Sequence, residues 1–296
     1  MATQHHASPM VLSWFQEDVR AYRNQLRRYY RHLPAQWKHW GKWLIRPTYR
    51  YQHQEIARLR SLPHYQPTVT NILGQPLEVV DGPTFVPMYK EIFEHHIYCF
   101  PTKEERPYII DGGANIGLSV LYFKKLYPNS RIIAFEPDDR VFAALKNNVE
   151  QSGYRDITLL CRALWSSETK LNFMSEGSDT GRLCQGDDAS NQVVRTARLR
   201  DYLNRQVDFL KLDIEGAETE VLKDCADSLN NVENLFVEYH SFSKEPQTLH
   251  TITSILTSAG FRLHVTQPRS LSPEPFMKRY ASLGMDLQLN IFAFRP

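Results

Sequence analysis

The stretch Tyr108-Ile-Ile-Asp-Gly-Gly-Ala-Asn-Ile-Gly-Leu-Ser119 combines a short apolar run, a glycine-rich turn and the start of a helical pattern. From Pro107 onward, apolar runs alternate with helical patterns, which is typical of successive βα units around a parallel sheet. This alternation predicts strands at 108–111, 131–135, 157–161, 207–212, 235–239, 261–265 and 288–294. It predicts helices at 118–126, 140–151, 199–205, 217–225 and 246–259. We therefore predict an α/β fold whose seven-stranded, doubly wound sheet ends in a hairpin-like pair.

The first fifth of the chain differs in charge from the rest. Residues 1–62 hold 11 Lys and Arg against 3 Asp and Glu, whereas the remaining residues hold 24 against 30. Apolar residues recur at helical spacing from Leu12 to Tyr30 with arginines between them, and a Trp stripe follows at 37, 40 and 43. We predict a basic, Trp-rich helical extension over 1–64, a cap or lid segment over 65–106 with a helix near 88–95, and an α/β domain over 107–296.

Composition excludes several classes of protein. With 296 residues, 42% hydrophobic and 23% charged, the chain is long enough for a large domain with an appendage and is not of a disordered or fibrous type. The cysteines at 99, 161, 184 and 225 form no Cys-x-x-Cys pair, so we expect reduced thiols rather than disulfides or a zinc knuckle. No apolar run approaches the ~20 residues that span a bilayer, and the first residues lack a signal-peptide layout. We therefore expect a cytoplasmic protein.

Acidic residues follow the predicted strands where ligands bind in open parallel sheets. Asp111 ends the first strand, Glu136 follows the second, Asp213 the fourth, and the fifth carries Glu238 and His240. The turn after Asp111 lacks the Gly-x-Gly-x-x-Gly spacing of nicotinamide enzymes and the Gly-Lys-Ser/Thr of a P-loop. An acid directly before glycines suits a ligand that carries an ammonium and a sulfonium, which favours S-adenosylmethionine as the cofactor.

Individual residues around the glycine turn have specific predicted roles. Gly113 and Gly117 would let the backbone pass close to a ligand. Asn115 either lines the site or is a turn former in a left-handed conformation. Glu136 would accept the ribose hydroxyl protons, whereas Asp138 either contacts the adenine amino group or is an acid favoured at a helix start.

Four segments resemble the FkbM family of S-adenosylmethionine-dependent methyltransferases, in the family's order. They are residues 108–119, Ile133-Ala-Phe-Glu-Pro137, Ala163-Leu-Trp-Ser166, and residues 207–223, which contain the narrow motif Lys211-Leu-Asp-Ile-Glu-Gly-Ala-Glu218. Two departures are Arg200 in place of an acid and Asp224 in place of a glycine. The resemblance implies a class I methyltransferase (Rossmann-like) fold and O-methylation of a sugar, glycan or natural-product hydroxyl.

The resemblance also implies where the cofactor lies. Asp111, Gly113 and Asn115 should line its methionine end, Glu136 its ribose, and Ala163 with Leu164 its adenine edge. The predicted cofactor-binding set also includes Gly117, Pro137, Asp138 and Asp213.

A hydroxyl acceptor must lose a proton, and His240 is the predicted general base because an imidazole titrates near neutral pH. Glu238 lies two residues away on the same face of the strand. Asp213 and Glu215 are the competing acids, and Asp213 could hold an acceptor hydroxyl or a metal. Glu218 is interpreted as a first-turn helix acid. The spacing indicates no tight cluster of oxygen ligands, so we predict no metal site.

Alternative functions are an N-methyltransferase acting on an amide or amine, a nicotinamide-dependent oxidoreductase, and a non-catalytic surface-binding protein. The expected partner is a small-molecule or glycan acceptor, and we expect no nucleic acid. Residues 12–50 would dock on an anionic membrane surface or a carrier lipid, peripherally, or would instead pack on the main domain. The aromatic helices could equally pair subunits in a homo-oligomer.

Overall fold

The computed structural model describes residues 47–175, 181–183, 192–268, 274, 276–277 and 284–295. The chain divides into two compact units, residues 1–57 and 58–296. The predicted basic extension and its Trp stripe lie almost entirely outside the described residues, so their docking role stays a prediction. Cys99, Cys161 and Cys225 are free thiols, and Cys184 also lies outside the described residues. In the described part of the chain, no helix is long and apolar enough to cross a membrane.

The described elements follow one another along the chain as helices and strands. The helices are α1 (Pro47–Arg60), α2 (Gly82–Tyr89), α3 (Leu118–Leu126), α4 (Asp139–Ser152), α5 (Glu218–Cys225) and α6 (Leu249–Ser258). The strands are β1 (Thr68–Thr70), β2 (Leu77–Val79), β3 (Tyr108–Gly112), β4 (Arg131–Phe135), β5 (Ile157–Leu160), β6 (Ala163–Trp165), β7 (Lys170–Met174), β8 (Arg182–Leu183), β9 (Gln192–Arg198), β10 (Val207–Leu212), β11 (Val232–Phe242), β12 (Arg262–Thr266) and β13 (Met285–Phe294).

Seven strands form the central sheet in the order β12-β13-β11-β10-β3-β4-β5. The five strands from β11 to β5 run parallel, and β13 runs antiparallel to both of its neighbours. The strand order reverses beside β3, which lies between β4 and β10. Ligands bind in such sheets at the crevice outside the carboxyl ends of these strands. The predicted seven-stranded, doubly wound α/β sheet with a final antiparallel pair is confirmed.

Local sequence explains how the strand ends are held. All six residues of β10 are buried because this strand is central in the sheet and covered on both faces. Helix α4 begins at Asp138, whose Oδ1 accepts hydrogen bonds from the backbone amides of Arg140 and Val141 at 2.9 and 3.0 Å. It ends at Gly153 in the left-handed conformation, with φ 70°.

Two predicted helices are wrong in extent. The helix expected near 88–95 begins earlier, as α2, and continues into a π-helical turn over Lys90–Glu94. The Asp-Gly-Pro sequence before it resembles a turn, but Pro83 fits the first helical turn, where a backbone N–H has no partner to lose. The helix expected at 199–205 is a single 3₁₀ turn, Leu199–Tyr202. Residues 203–206 then connect this turn to β10 at Val207.

A second, four-stranded sheet has the order β6-β9-β7-β8 and was not predicted. Most of its strands are short. Only β9 shows a clear strand-like alternation of buried and exposed residues, since buried Val194 and Thr196 are separated by exposed Arg195. This sheet follows β5 directly, so it brings Ala163 and Leu164 of β6 beside the carboxyl ends of the central strands. The expected lid role of residues 65–106 stays a prediction.

Candidate active site

A cavity of about 670 Å³ opens at the carboxyl ends of the central strands. Most of the predicted site residues line it, namely Gly113, Asn115, Glu136, Pro137, Asp138, Ala163, Leu164, Asp213, Glu238 and His240. Asp111 and Gly117 are not among its lining residues. Lys211 and Glu215 also line it, together with Tyr98 from the segment before β3. The structure therefore brings most of the cofactor set and the whole catalytic set together around one cavity.

The two glycines of the turn make close approaches within the chain itself, and their predicted approach to a ligand stays a prediction. A Cβ on Gly113, where φ is +77°, would lie 1.8 Å from the carbonyl oxygen of Asp213. A Cβ on Gly117, where φ is +93°, would lie 2.8 Å from Cδ1 of Leu145 in α4. Gly113 thus allows the turn after β3 to pack against the end of β10, and Gly117 allows α3 to pack against α4.

Asp111 lies beneath the cavity. Its side chain is fully buried, Oδ2 accepts a hydrogen bond from Ser119 Oγ at 2.5 Å, and Oδ1 lies 3.5 Å from Nζ of Lys211. Burial raises the pKa of Asp111, and Lys211 partly offsets this shift. Lys211 Nζ in turn donates to the carbonyl of Gly113 at 2.8 Å and lies 3.2 Å from Oδ2 of Asp213. Asp111 therefore contacts Lys211, which lines the cavity, and does not line the cavity itself.

Sequence reasoning missed Lys211 as a site residue, although a signal was present. Lys211 and Asp213 are two residues apart at the end of a strand, and strand alternation places such residues on one face.

Glu136 forms part of the cavity wall and is 7% exposed. Its Oε2 accepts a hydrogen bond from the backbone N–H of Asn115 at 2.9 Å, and its Oε1 accepts from that of Asp138 at 3.0 Å. Burial raises the pKa of Glu136 to about 7, although the two amide donors oppose this shift. Asn115 has φ +48°, and its side-chain oxygen accepts from the amide of Ile116 at 2.6 Å. Asn115 thus has the left-handed conformation of a turn former and also lines the cavity, so its contact with a ligand stays a prediction.

Asp138 lies at a helix start, which is one of its two predicted roles. It is the N-cap of α4, and its second carboxylate oxygen accepts from the hydroxyl of Ser175. It also lines the cavity, so contact with a bound ligand stays a prediction.

His240 lies at the centre of a carboxylate cluster, which we define as Asp213, Glu215, Glu218 and Glu238. Its Nδ1 lies 3.2 Å from Oε1 of Glu218, and its Nε2 lies 3.6 Å from Glu215 and 3.8 Å from Glu238. Glu218 is 1% exposed and also accepts hydrogen bonds from the backbone amides of Ile214 and Gly216. Glu218 is therefore a buried partner of His240 as well as the first residue of α5, a role that sequence reasoning missed.

The cluster changes the protonation of its members. Burial alone would lower the pKa of His240, but Glu215, Glu218 and Glu238 outweigh it and raise that pKa well above 6.5. Burial raises the pKa of Glu215 and of Glu238 to about 8, in each case opposed by His240. The carboxylate partners thus favour the protonated form of His240, and its predicted role as general base stays a prediction.

Three of these residues could also hold a metal ion. One ligand atom each from Asp213, Glu238 and His240 lie within 4.8 Å of one another. Sequence spacing alone does not indicate this group, and the prediction that there is no metal site is not tested by it. The three residues come from two adjacent strand ends, so their proximity depends on the sheet.

The family profile of the methyltransferase FkbM domain matches residues 111–263, which is slightly more than half of the chain. The chain belongs to the FkbM methyltransferase family. The matched range begins at Asp111 and ends in β12, so it contains the glycine turn, Glu136 and the whole cluster around His240. The FkbM resemblance, the class I methyltransferase fold and methyltransferase activity are thus confirmed.

Individual relatives agree with this family. The chain is 28% identical over 214 residues to Methyltransferase 1 of Beauveria bassiana, covering 63% of this chain and 85% of that protein. It is 29% identical over 229 residues to Methyltransferase sdnD of Sordaria araneosa, covering 64% and 86%. It is 23% identical over 197 residues to the 2-O-methyltransferase NoeI of Sinorhizobium fredii, covering 58% and 79%.

Proposed function

We propose that this FkbM methyltransferase transfers a methyl group from S-adenosylmethionine to a hydroxyl oxygen of a sugar, glycan or natural-product acceptor. The observation that carries the proposal is the Glu136 carboxylate, which is buried in the cavity wall and anchored by two backbone amides. Each of its oxygens keeps a second lone pair for a ribose hydroxyl. A carboxylate after the second strand is the feature that such sheets use to bind ribose.

The rest of the cavity wall suits an adenosyl group. Phe135, Pro137 and Leu164 line the cavity beside Glu136 and offer apolar contacts. Asp213 and the backbone at Gly113 and Asn115 would face the methionine portion. The glycine spacing does not provide the cradle that a dinucleotide pyrophosphate needs, which argues against a nicotinamide cofactor.

The chemistry requires positioning and one proton acceptor. Bound S-adenosylmethionine supplies an electrophilic methyl group, so that transfer breaks one C–S bond and forms one O–C bond without protonation of the leaving group. Glu215 lines the cavity and would take the hydroxyl proton, because burial makes it a stronger base than an exposed carboxylate. Protonated His240, beside Glu215, would stabilise the ionised form of this carboxylate.

The oxygen acceptor is supported by one relative in particular. The name of NoeI specifies 2-O-methylation, and the chain covers most of that protein's length. Carboxylates around the cavity also suit hydroxyl groups, which donate hydrogen bonds to them.

The test of the cofactor is calorimetric titration of the full chain with S-adenosylmethionine, S-adenosylhomocysteine and NAD. We expect the two adenosyl ligands to bind and NAD to show no binding. The affinity for both adenosyl ligands should fall at least about tenfold in Glu136→Gln. Asp139→Asn is the matched control, because Asp139 is a carboxylate three residues after Glu136, in the first turn of α4, and does not line the cavity. Selective binding of NAD would overturn the proposal.

The test of the acceptor is transfer of a radiolabelled methyl group to panels of sugars, glycans, other alcohols and amines. Label that resists mild acid and base and is recovered as an O-methyl ether is the expected product. Recovery of label only on amide or amine nitrogen would replace O-methylation by the N-methyltransferase alternative.

A further inference from the structure

The carboxyl ends of β10 and β11 bring together three side chains with the chemistry of metal ligands. Asp213 directly follows β10, whereas Glu238 and His240 lie in β11 on one face of the strand. The parallel pairing of β10 with β11 places these side chains next to each other. One ligand atom from each lies within 4.8 Å of the others, which is close enough for a single ion to contact all three.

The imidazole of His240 is held in the orientation that a metal ligand requires. Glu218 binds Nδ1, and Glu218 is itself fixed by the backbone amides of Ile214 and Gly216. This leaves Nε2 facing Glu215 and Glu238. Histidine ligands in proteins generally have their other ring nitrogen bound to a carboxylate in this way, because it fixes the tautomer and the ring.

A buried oxygen beside Glu238 gives an independent indication. Asn290 of β13 lies directly opposite Glu238 in the antiparallel register, so their side chains project from the same face of the sheet. Asn290 is 6% exposed, and its Oδ1 has no hydrogen-bond partner among the described residues. A buried amide oxygen without a donor is unfavourable unless a proton donor or a cation satisfies it.

The charge balance around the cluster also favours a cation. Asp213, Glu215, Glu218 and Glu238 supply four carboxyl groups, and Lys211 is the cation within salt-bridge distance of Asp213.

We propose that Asp213, Glu238 and Nε2 of His240 bind one divalent cation of the Mg²⁺ or Mn²⁺ type, and that Asn290 Oδ1, in the residue opposite Glu238 on β13, serves as a further oxygen donor. Carboxylate and amide oxygens with a single imidazole suit these ions better than Zn²⁺, whose sites are richer in Cys and His. Because the ion would lie in the cavity beside Glu215, it would hold the acceptor oxygen and lower the pKa of its hydroxyl. The proposed cation site does not depend on the proposed function. Only its effect on the acceptor hydroxyl rests on that function.

The experiment is a titration of the chelator-treated full chain with Mn²⁺ alone. Electron paramagnetic resonance measures the amounts of free and bound Mn²⁺ at each step. We expect a site whose affinity falls at least about tenfold in both Glu238→Gln and Asp213→Asn. Glu245→Gln, an exposed carboxylate just beyond β11, is the matched control and should bind like the unmodified chain. Binding that is absent, or that both cluster variants retain, would overturn the site.

A spectroscopic measurement on the unmodified chain removes any dependence on the folding of variants. Pulsed measurements on bound Mn²⁺ should show hyperfine coupling to a directly coordinated imidazole nitrogen, and this coupling should disappear in His240→Gln. Bound Mn²⁺ without nitrogen coupling would contradict ligation by His240.

Parallel titration of the same metal-free sample with S-adenosylmethionine separates the two proposals. Cofactor binding without any Mn²⁺ site would overturn the cation site alone. A Mn²⁺ site without cofactor binding would support the cation site and overturn the proposed function.

Discussion

Nδ1 of His240 lies 3.2 Å from Oε1 of Glu218, and both side chains are almost completely buried. Glu218 begins α5, whereas His240 belongs to β11, so this contact joins the helix after β10 to the neighbouring strand. The same carboxylate accepts the backbone amides of Ile214 and Gly216. One side chain therefore fixes both the loop after β10 and the orientation of His240.

Glu218→Gln should destabilise the fold, because it leaves the buried His240 without its charged partner. Breaking a buried pair on one side costs about 3 kcal/mol or more of unfolding free energy. Denaturant unfolding of the full chain measures this change. Glu220→Gln, two residues along the same helix, should stay within about 0.5 kcal/mol of the unmodified chain. An equally small change for Glu218→Gln would contradict a structural role for the contact.

The affinity for S-adenosylmethionine should increase as pH rises through about 7. The pKa of Glu136 is raised to about 7 by burial, and only its ionised form accepts two ribose hydroxyls. Below that pH, the Glu136 carboxyl is mostly protonated and must lose its proton when the cofactor binds. The affinity therefore falls by up to about tenfold for each pH unit below the pKa. Calorimetry at pH 6, 7 and 8 tests this dependence. A similar slope in Glu136→Gln would show that another group is responsible.

Glu215→Gln should lower kcat about 100-fold or more, because an amide cannot take the acceptor proton. The affinity for S-adenosylmethionine should change little, since the proposed ribose and adenine contacts are at Glu136 and Leu164. Steady-state kinetics combined with cofactor titration separates the two effects. The exposed variant Glu245→Gln should keep full activity, and unchanged turnover in Glu215→Gln would assign the proton to another carboxylate.

Gly113→Ala should prevent the turn after β3 from packing. Its Cβ would meet the backbone carbonyl of Asp213 at 1.8 Å, and a backbone contact of this kind cannot move aside easily. Gly153→Ala is the matched control, because Gly153 also has positive φ but its Cβ would have nothing within 4 Å. We expect about 1 kcal/mol of destabilisation for Gly153→Ala and several kcal/mol for Gly113→Ala. If the two variants lost equal unfolding free energy, the positive φ of Gly113 would explain its requirement, and its close approach to Asp213 would not.

The central sheet could be predicted from sequence because each strand is a local apolar run and each helix a local periodic pattern. The residues at the strand ends could be predicted for the same reason, since Glu136 and Asp213 directly follow such runs. The small sheet could not be predicted, because β8 has two residues and its pairing is decided by tertiary contacts.

The chemistry of the site was harder to predict than its location. The pKa of His240 depends on Glu215 and Glu218, which approach it only when α5 and β11 pack together. Glu218 has the appearance of an ordinary first-turn acid in the sequence, and nothing local indicates its burial. The proximity of Asp213 to Glu238 likewise depends on the pairing of β10 with β11.

Strand β13 lies between β11 and β12, although it follows both of them in the chain. Its residue Gln288 donates a hydrogen bond to Glu238, and Asn290 lies opposite the same glutamate. During translation, β11 and β12 therefore emerge from the ribosome with no strand to connect them, and the catalytic face has a gap until β13 arrives. A chain interrupted before β13 would keep Glu136, the proposed ribose ligand, yet lack the strand that contacts Glu238, so the two halves of the cavity are completed at different times.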